Sequence, residues 1–453
     1  MAAVRVDGLE DVWEDGCGDI VYTLARVLDA VEPGRLVGRS VKRVGWTLYV
    51  GSEKQDLRLF NEFVVLAVGK AASSMAAMLL KQLEGRPVRG LVVISHGLQP
   101  RQSLKPLETI HAAHPIPDTS SQRAGQAILE YAKSCGAGSL VFVLLSGGAS
   151  SLAVLPAEGV TVEDKAAAAA ALMKAGASIE ELNTVRKHLS AIKGGWLAKH
   201  LRCRTYTLIL SDVVGDRLDV IGSGPTVPDP TTYADALNVI RRRKAQVPEN
   251  VLKHLEAGAR GALEETPKPG DPCFKNIRNI IVGSSLDAVR AAASTLRRKG
   301  YRTLVLTGML SGEAREAARL LAAIALEVRR SGLPLRPPAA VVAGGETVVT
   351  VRGGGVGGRN QELALALVLH LREMRGFSAA SMGTDGVDGP TDAAGAMVTD
   401  RTIPNAVEKG LSLEEYLENN DSHTFFKKVG GLIHTGPTGT NVGDITIILI
   451  QSR

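Results

Sequence analysis

Three kinds of residue cluster in this chain suggest chemistry on an anion. The turn Ser146-Gly147-Gly148-Ala149-Ser150-Ser151 follows an apolar run and combines two glycines with three serines. Such a turn offers backbone N–H groups and a helix dipole to a phosphate, although a tight turn without a ligand uses the same residues. Lys70 follows Gly69 at the end of another apolar run, where an ammonium reaches a transferring phosphoryl group. Arg359 opens a helical pattern, where the macrodipole prefers an acid, so an arginine there points to a bound anion. Two acidic stretches, Ser211 to Asp216 and Thr384 to Asp392, supply Asp212, Asp385 and Asp388. Beside Gly-rich turns, they suggest a magnesium nucleotide and a general base. A basic helix carries Arg186 and His188, with Lys193 beyond it. Facing solvent it is inert; facing a ligand it would hold a carboxylate or phosphate.

Other chemistries fit less well. Gly353 to Gly358 matches G-x-G-x-x-G between an expected strand and a helix, which raises a dinucleotide reading. Glu373, at a suitable distance, lies within or just after the helix rather than at a strand end. Gly69-Lys70 lacks the upstream glycine of a Walker A loop, and Ala71 replaces its Ser or Thr. The Asp385 stretch has no closing Glu for a calcium loop, and Ser146 has no Gly-x-Ser-x-Gly elbow. Cys17, Cys135, Cys203 and Cys273 are far apart, which argues against a zinc site or a disulfide framework.

Alternating strands and helices must position these groups. Short apolar runs at Phe63–Val68, Leu91–Ile94, Leu140–Leu145 and Tyr206–Leu210 alternate with helical stretches. They predict a parallel sheet covered on both faces. Asp19 to Val31 reads as a helix closed by Pro33-Gly34, and Gly45 to Val50 as a half-exposed strand. Glu264 to Pro272 reads as a linker or long surface loop before a second α/β segment. That segment has expected strands at 277–282, 303–306, 339–343, 347–351, 379–382 and 445–450. Its expected helices are 284–299, 312–330 and 359–371. The fold class is α/β, with ligands expected at the carboxyl ends of strands.

Composition narrows the class. The chain has 453 residues, 22% charged and 45% hydrophobic, as in a folded globular protein of two or three domains. Aromatics are only 4%, and the dense basic run Arg241 to Lys244 has none interleaved, so nucleic-acid binding is not expected. A net charge of +6 suits anionic small substrates. No apolar run is long enough to span a bilayer. The start carries Asp7, Glu10, Asp11, Glu14 and Asp15 and does not read as a signal peptide, so a cytoplasmic protein is expected. The scarcity of Asn and Gln, with Arg above Lys, hints at a heat-adapted source.

Taken together, the stretches resemble the class II glycerate kinase family, whose C-terminal part is the MOFRL domain. The likeness runs in order along nearly the whole chain. It includes Ala67 to Ala72, His114 to Asp118, Leu145 to Gly148, Asn183 to Gly195 and Ser211 to Asp216. It continues through Gly222 to Thr226, Pro228 to Thr231, Ser311 to Glu316, Gly344 to Thr347 and Gly357 to Glu362, then Gly383 to Gly395 and His434 to Asn441. Two positions depart from the family pattern. Ala149 replaces the third glycine of a Ser-Gly-Gly-Gly-Ser loop, and Ser285 stands where Asn is common. The first narrows backbone freedom and could reshape the turn.

The resemblance implies a large Rossmann-like domain over residues 1–272 and a smaller MOFRL-type α/β domain over 273–453, with the active site in the cleft between them. It implies phosphorylation of D-glycerate by Mg-ATP, commonly giving 2-phosphoglycerate. Lys70, Asp212 and Arg359 match the catalytic residues, and Glu346 is a weaker candidate. Ser146, Gly147, Gly148, Ser150, Arg186, His188, Lys193 and Glu346 would bind substrate or phosphate; Asp385 and Asp388 would approach Mg²⁺. No nucleic acid or membrane partner is expected, and a homodimer is allowed. Two rivals remain: an NAD(P)H-dependent hydroxypyruvate reductase and a non-catalytic phospho-acid binding protein.

Overall fold

The computed structural model describes residues 3–8, 16–100 and 102–452. Glu10, Asp11, Glu14 and Asp15 of the acidic start lie outside them. The chain divides into two compact units that are not consecutive stretches of sequence. One comprises Pro33–Ser211 and Asp216–Val282; the other comprises the chain up to Glu32, Asp212–Gly215 and Gly283–Arg453. The expected change near 272 therefore falls ahead of the crossing at Val282, and the first helix belongs with the later unit.

The unit beginning at Pro33 is built on a six-stranded sheet. In chain order its strands are Glu62–Val68, Val88–Ser95, Glu108–Ala112, Ser139–Leu145, Arg204–Leu210 and Ile277–Gly283. Across the sheet they run third, second, first, fourth, fifth, sixth. The first five are parallel, with Val65 opposite both Gly90 and Phe142. Strand Ser139–Leu145 is buried at every position, because helices cover both faces and only Val, Leu and Phe satisfy both. This order reverses direction between the first and fourth strands, and the crevice at such a switch point is where open α/β sheets take ligands.

Local signals explain several elements. Asp118 accepts from the N–H groups of Ser120 and Ser121 and starts the helix Thr119–Ser134. Thr161 and Ser178 form capping boxes for Val162–Lys174 and Ile179–His188. Pro33-Gly34 does not merely close the first helix, Cys17–Ala30. It opens a second, Pro33–Ser40, since proline at a first helical position loses no hydrogen bond. The strand expected at Gly45 to Val50 is the centre of a small antiparallel sheet of Val41–Val44, Thr47–Val50 and Glu53–Asp56. The Pro-rich stretch from Glu264 is a pinned loop rather than a linker. Thr266 Oγ1 donates to Asp229 at 3.1 Å, and the Tyr233 N–H donates to Glu265 at 3.0 Å.

The other unit holds a seven-stranded mixed sheet. Only Arg302–Leu310 and Ala339–Gly345 pair in parallel among its described pairings. The last strand, Asp444–Ile450, lies antiparallel between Ala339–Gly345 and Phe377–Gly383, so the chain end closes this sheet. The strand expected at 347–351 is absent; Val348 makes a single bridge to Glu313. Helices Ala314–Ser331 and Arg359–His370 cover a hydrophobic core that includes Leu321, Leu365 and Phe377.

Candidate functional site

Each unit brings a set of the expected residues together. In the unit beginning at Pro33, the ends of Glu62–Val68 and Ser139–Leu145 are laced to one another. The Ser146 N–H donates to Val68 O at 3.1 Å, the Lys70 N–H to Gly147 O at 2.9 Å, and the Ala71 N–H to Ser146 Oγ at 3.1 Å. Gly69 allows this approach: its φ is 130°, and a Cβ there would stand 2.2 Å from Ser146 Oγ. Lys70 thus leaves the sheet beside Ser146 to Ser151, at the switch point.

The turn itself is braced. Gly148 has φ 85° and opens the short helix Ala149–Leu152. Ala149 begins that helix, so its Cβ fits without reshaping the backbone. The Ser150 hydroxyl lies 3.0 Å from that of Ser223, which donates to Asn183 at 2.9 Å. Lys193 Nζ donates to Ser150 O at 2.7 Å. Burial, and then the charge of Arg186, lower the Lys193 pKa to about 7. Among the described residues the Arg186 side chain makes no hydrogen bond or ion pair, and burial lowers its pKa. His114 stands over Gly148, and burial, then the Lys70 charge, lower its pKa.

His188 does not join this group. It is buried, with Nδ1 2.7 Å from Thr184 O and Nε2 2.9 Å from Glu265. Neighbouring Lys187 pairs with Asp229 at 3.3 Å. These contacts bind the helix Ile179–His188 to the pinned loop. Of the basic run near its partner helix, Arg242 and Arg243 pair with Glu181 at 2.5 and 2.7 Å.

In the other unit, three strand ends gather carboxylates around one arginine. Asp444 opens the last strand, in register with Gly345 and Gly383 on either side. Glu346 and Asp385 follow those two glycines. Arg359 donates to both Asp444 oxygens, at 2.6 and 2.9 Å, and pairs with Glu346 at 2.9 Å. Protein carboxylates therefore meet the charge that the sequence assigned to an unseen anion. Burial opposes the Arg359 charge, yet Asp444 and Glu346 hold its pKa above the ordinary value. Burial pushes the Glu346 carboxyl up to about 7; Arg359 opposes this, and the charges of Asp444, Asp212 and Asp385 add to it. Asn441 donates to Asp212 at 3.1 Å. Neither Asp444 nor Asn441 was a sequence candidate. Asn441 closes the His434 to Asn441 stretch, and an acid directly before an all-apolar strand is the signal for Asp444.

Asp388 has a different task. Its oxygens accept from the N–H groups of Asn360 and Gln361, at 3.0 and 2.9 Å, and from both amide side chains. It caps the helix that Arg359 begins. The Gly353 to Gly358 run is likewise committed to packing. A Cβ on Gly353, Gly355 or Gly357 would stand 2.3 Å from the segment Asn419 to Ser422. The N–H groups of Arg352 through Val356 donate to Asn419, Asn420 and Asp421. Among the described residues no strand leads directly into the run, so it is not the pyrophosphate cradle that its spacing suggested. Among the described residues no three His, Cys, Asp or Glu side chains are grouped to hold a metal ion.

Residues 19–256 match a family described as a domain of unknown function, DUF4147, and residues 339–444 match the MOFRL family. A glycerate 2-kinase from Pyrococcus horikoshii is 40% identical over 433 residues, covering 95% of this chain and 96% of that one. The crystal structure of a glycerate kinase from Thermotoga maritima superposes with a TM-score of 0.83 at 40% identity, covering 95% of this chain and 98% of its own. The chain belongs to the glycerate kinase family. A relative from Agrobacterium vitis with the provisional name hydroxypyruvate reductase is 42% identical over 390 residues, covering 85% of this chain and 87% of its own. Among the described residues no helix is long and apolar enough to cross a membrane.

Two measurements check this geometry. Gly69→Ala should cost about 1–3 kcal/mol in chemical denaturation, because its Cβ overlaps Ser146 at a φ that side chains avoid. Glu346→Gln should change the pH dependence of melting. A raised carboxyl pKa means that the folded state resists ionisation, so wild-type stability falls as pH rises from about 4.5 to about 7. The Gln variant lacks that loss. It should melt above wild type at pH 8 and close to it at pH 4; a lower melting point at pH 8 would contradict the assignment.

Proposed function

We propose that this protein transfers the γ-phosphoryl group of ATP to D-glycerate, giving ADP and 2-phosphoglycerate. What carries the reading is the placement of Lys70 beside the Ser146 to Ser151 turn, at a parallel-sheet switch point, in a chain of this family. Phosphoryl transfer needs little covalent help from protein. It needs an aligned donor and acceptor, and charge to offset the transferring oxygens.

Lys70 supplies that charge from the turn. Arg359 supplies it from the carboxylate group, held in a fixed orientation by Asp444. Asp212, oriented by Asn441, accepts the proton of the attacking glycerate hydroxyl. Arg186 and Lys193 hold phosphate or the substrate carboxylate at the turn. Glu346 helps to orient Arg359 through their ion pair. Asp385 and Glu346 offer the hard oxygen donors that Mg²⁺ prefers, and one or two carboxylates are enough when substrate phosphates complete the shell. Asp388 is not proposed as a ligand, since its oxygens already accept four hydrogen bonds. When bound, Mg²⁺ would neutralise charge on the phosphate oxygens. Four free thiols suit a reducing cytoplasm.

The test is a phosphorus NMR time course with D-glycerate, ATP and Mg²⁺. A phosphomonoester doublet, split by the single proton on C2, should appear as ADP accumulates; a triplet would place the phosphate on the 3-hydroxyl. An unchanged ATP spectrum from folded protein would overturn the reading. NADH with hydroxypyruvate should show no oxidation. Lys70→Ala should lower kcat by about 10²–10³-fold with little change in melting. Arg359→Ala would strand Asp444, so Arg359→Lys is the informative variant. It keeps a cation and loses the bidentate contact, and kcat should fall by at least about tenfold. Wild-type turnover in either variant would remove that residue from the mechanism.

A further inference from the structure

Beside the Ser146 to Ser151 turn lies a cavity of about 550 Å³, within the unit that begins at Pro33. Its lining includes Lys165, Arg186 and Lys193. Lys165 is buried, and its Nζ donates to the carbonyls of Leu189 at 2.7 Å and Arg186 at 3.4 Å. Lys193 donates to the Ser150 carbonyl. These acceptors are neutral. The charges that act on Lys165 are Lys193 and Arg186, both of like sign, and burial with that repulsion holds its pKa well below the ordinary value. Three buried basic groups face one cavity that no carboxylate lines, an arrangement in which a bound polyanion would restore their charge.

Much of the remaining lining is apolar. On the helix Val162–Lys174, Ala166, Ala169, Ala170 and Met173 recur at helical spacing and line the cavity. Pro115-Ile116-Pro117 also line it. Ile116 is 72% exposed and Met173 56%, so the lips of the cavity are bare apolar surface. The alanine side chains are short enough to leave a slot for a flat ring, and Met and Pro pack well on an aromatic face.

We infer that this cavity is the nucleotide subsite, with the phosphates on Lys165, Arg186 and Lys193 and the purine between the alanine face and Pro115–Pro117. The assignment rests on the kinase reading for its choice of ligand, and it adds Lys165, Ile116, Ala170 and Met173 to the binding residues. A three-carbon acid would fill a small part of the cavity and leave its apolar lining wet. A nucleotide matches both the basic and the apolar lining and the volume, which lies within the usual range for ligand pockets.

The experiment is calorimetric titration of the whole protein with ADP and, separately, with inorganic tripolyphosphate, which has the charge but no base. Ala170→Trp adds bulk at an exposed position and should weaken ADP at least tenfold while leaving tripolyphosphate within twofold. Ile116→Ala, also exposed, should act in the same sense. Arg186→Met should weaken both ligands at least tenfold. ADP affinity unmoved by Ala170→Trp and Ile116→Ala would overturn the base site, and tripolyphosphate affinity unmoved by Arg186→Met would overturn the phosphate site. If wild type turns over glycerate and Ala170→Trp keeps the ATP KM, the subsite falls and the kinase reading stands. If wild type transfers nothing to glycerate and the binding pattern holds, the subsite stands and the acceptor assignment falls.

Discussion

The close contact between Gly69 and Ser146 is the constraint on which the chemistry at the turn depends. Two parallel strands whose crossovers leave in opposite directions would otherwise end in separate loops. Three backbone-anchored hydrogen bonds join those ends, and the missing Cβ of Gly69 makes room for them. The joined ends hold Lys70 against the turn through its backbone. A charged group whose backbone is already fixed needs less reorganisation to meet charge that develops during reaction.

Each unit carries an internal charge imbalance, and the signs are opposite. Around the turn, Lys165, Arg186 and Lys193 face a cavity without an acid. Around Arg359, the carboxylates Glu346, Asp385, Asp444 and Asp212 outnumber the single arginine, and Glu346 is raised to about 7 in consequence of burial and their charge. A buried charge cluster that favours neither partner is a common mark of a binding or reacting site. In the proposed reaction the first would take the phosphates of a nucleotide, and the second would take the proton of the attacking hydroxyl.

Much of this was legible in the sequence, and the failures have physical causes. Apolar runs such as Leu140 to Leu145 announce buried parallel strands because both faces must be covered. Strands Glu108–Ala112, Gly395–Thr399 and Leu432–His434 escape notice because they are short and Gly- or His-bearing, and their pairing is decided by distant partners. The expected strand at 347–351 had the right residues but only one bridge to pair with. The glycine run at 353–358 matched a cofactor spacing for a packing reason, its backbone lying against Asn419 to Ser422. Lys70 lies beside the Ser146 to Ser151 turn, and Arg186 and Lys193 line the cavity next to it. Lys165 was hidden in a run of alanines that reads as plain helix, and Asp444 before a run that reads as plain strand. Asp388 and His188 read as site residues because a polar type at a plausible spacing does not reveal whether its partners are a ligand or the protein itself.

The central claim is that the cations beside the Ser146 to Ser151 turn exist to hold phosphates. Calorimetry of ADP binding at pH 8, in buffers of differing ionisation enthalpy, tests it directly. Lys193, at about 7 in the ligand-free fold, is mostly neutral at that pH, and a bound polyanion must raise its pKa. The account predicts net proton uptake on binding, reduced in Lys193→Met. A binding heat that does not depend on the buffer would contradict it.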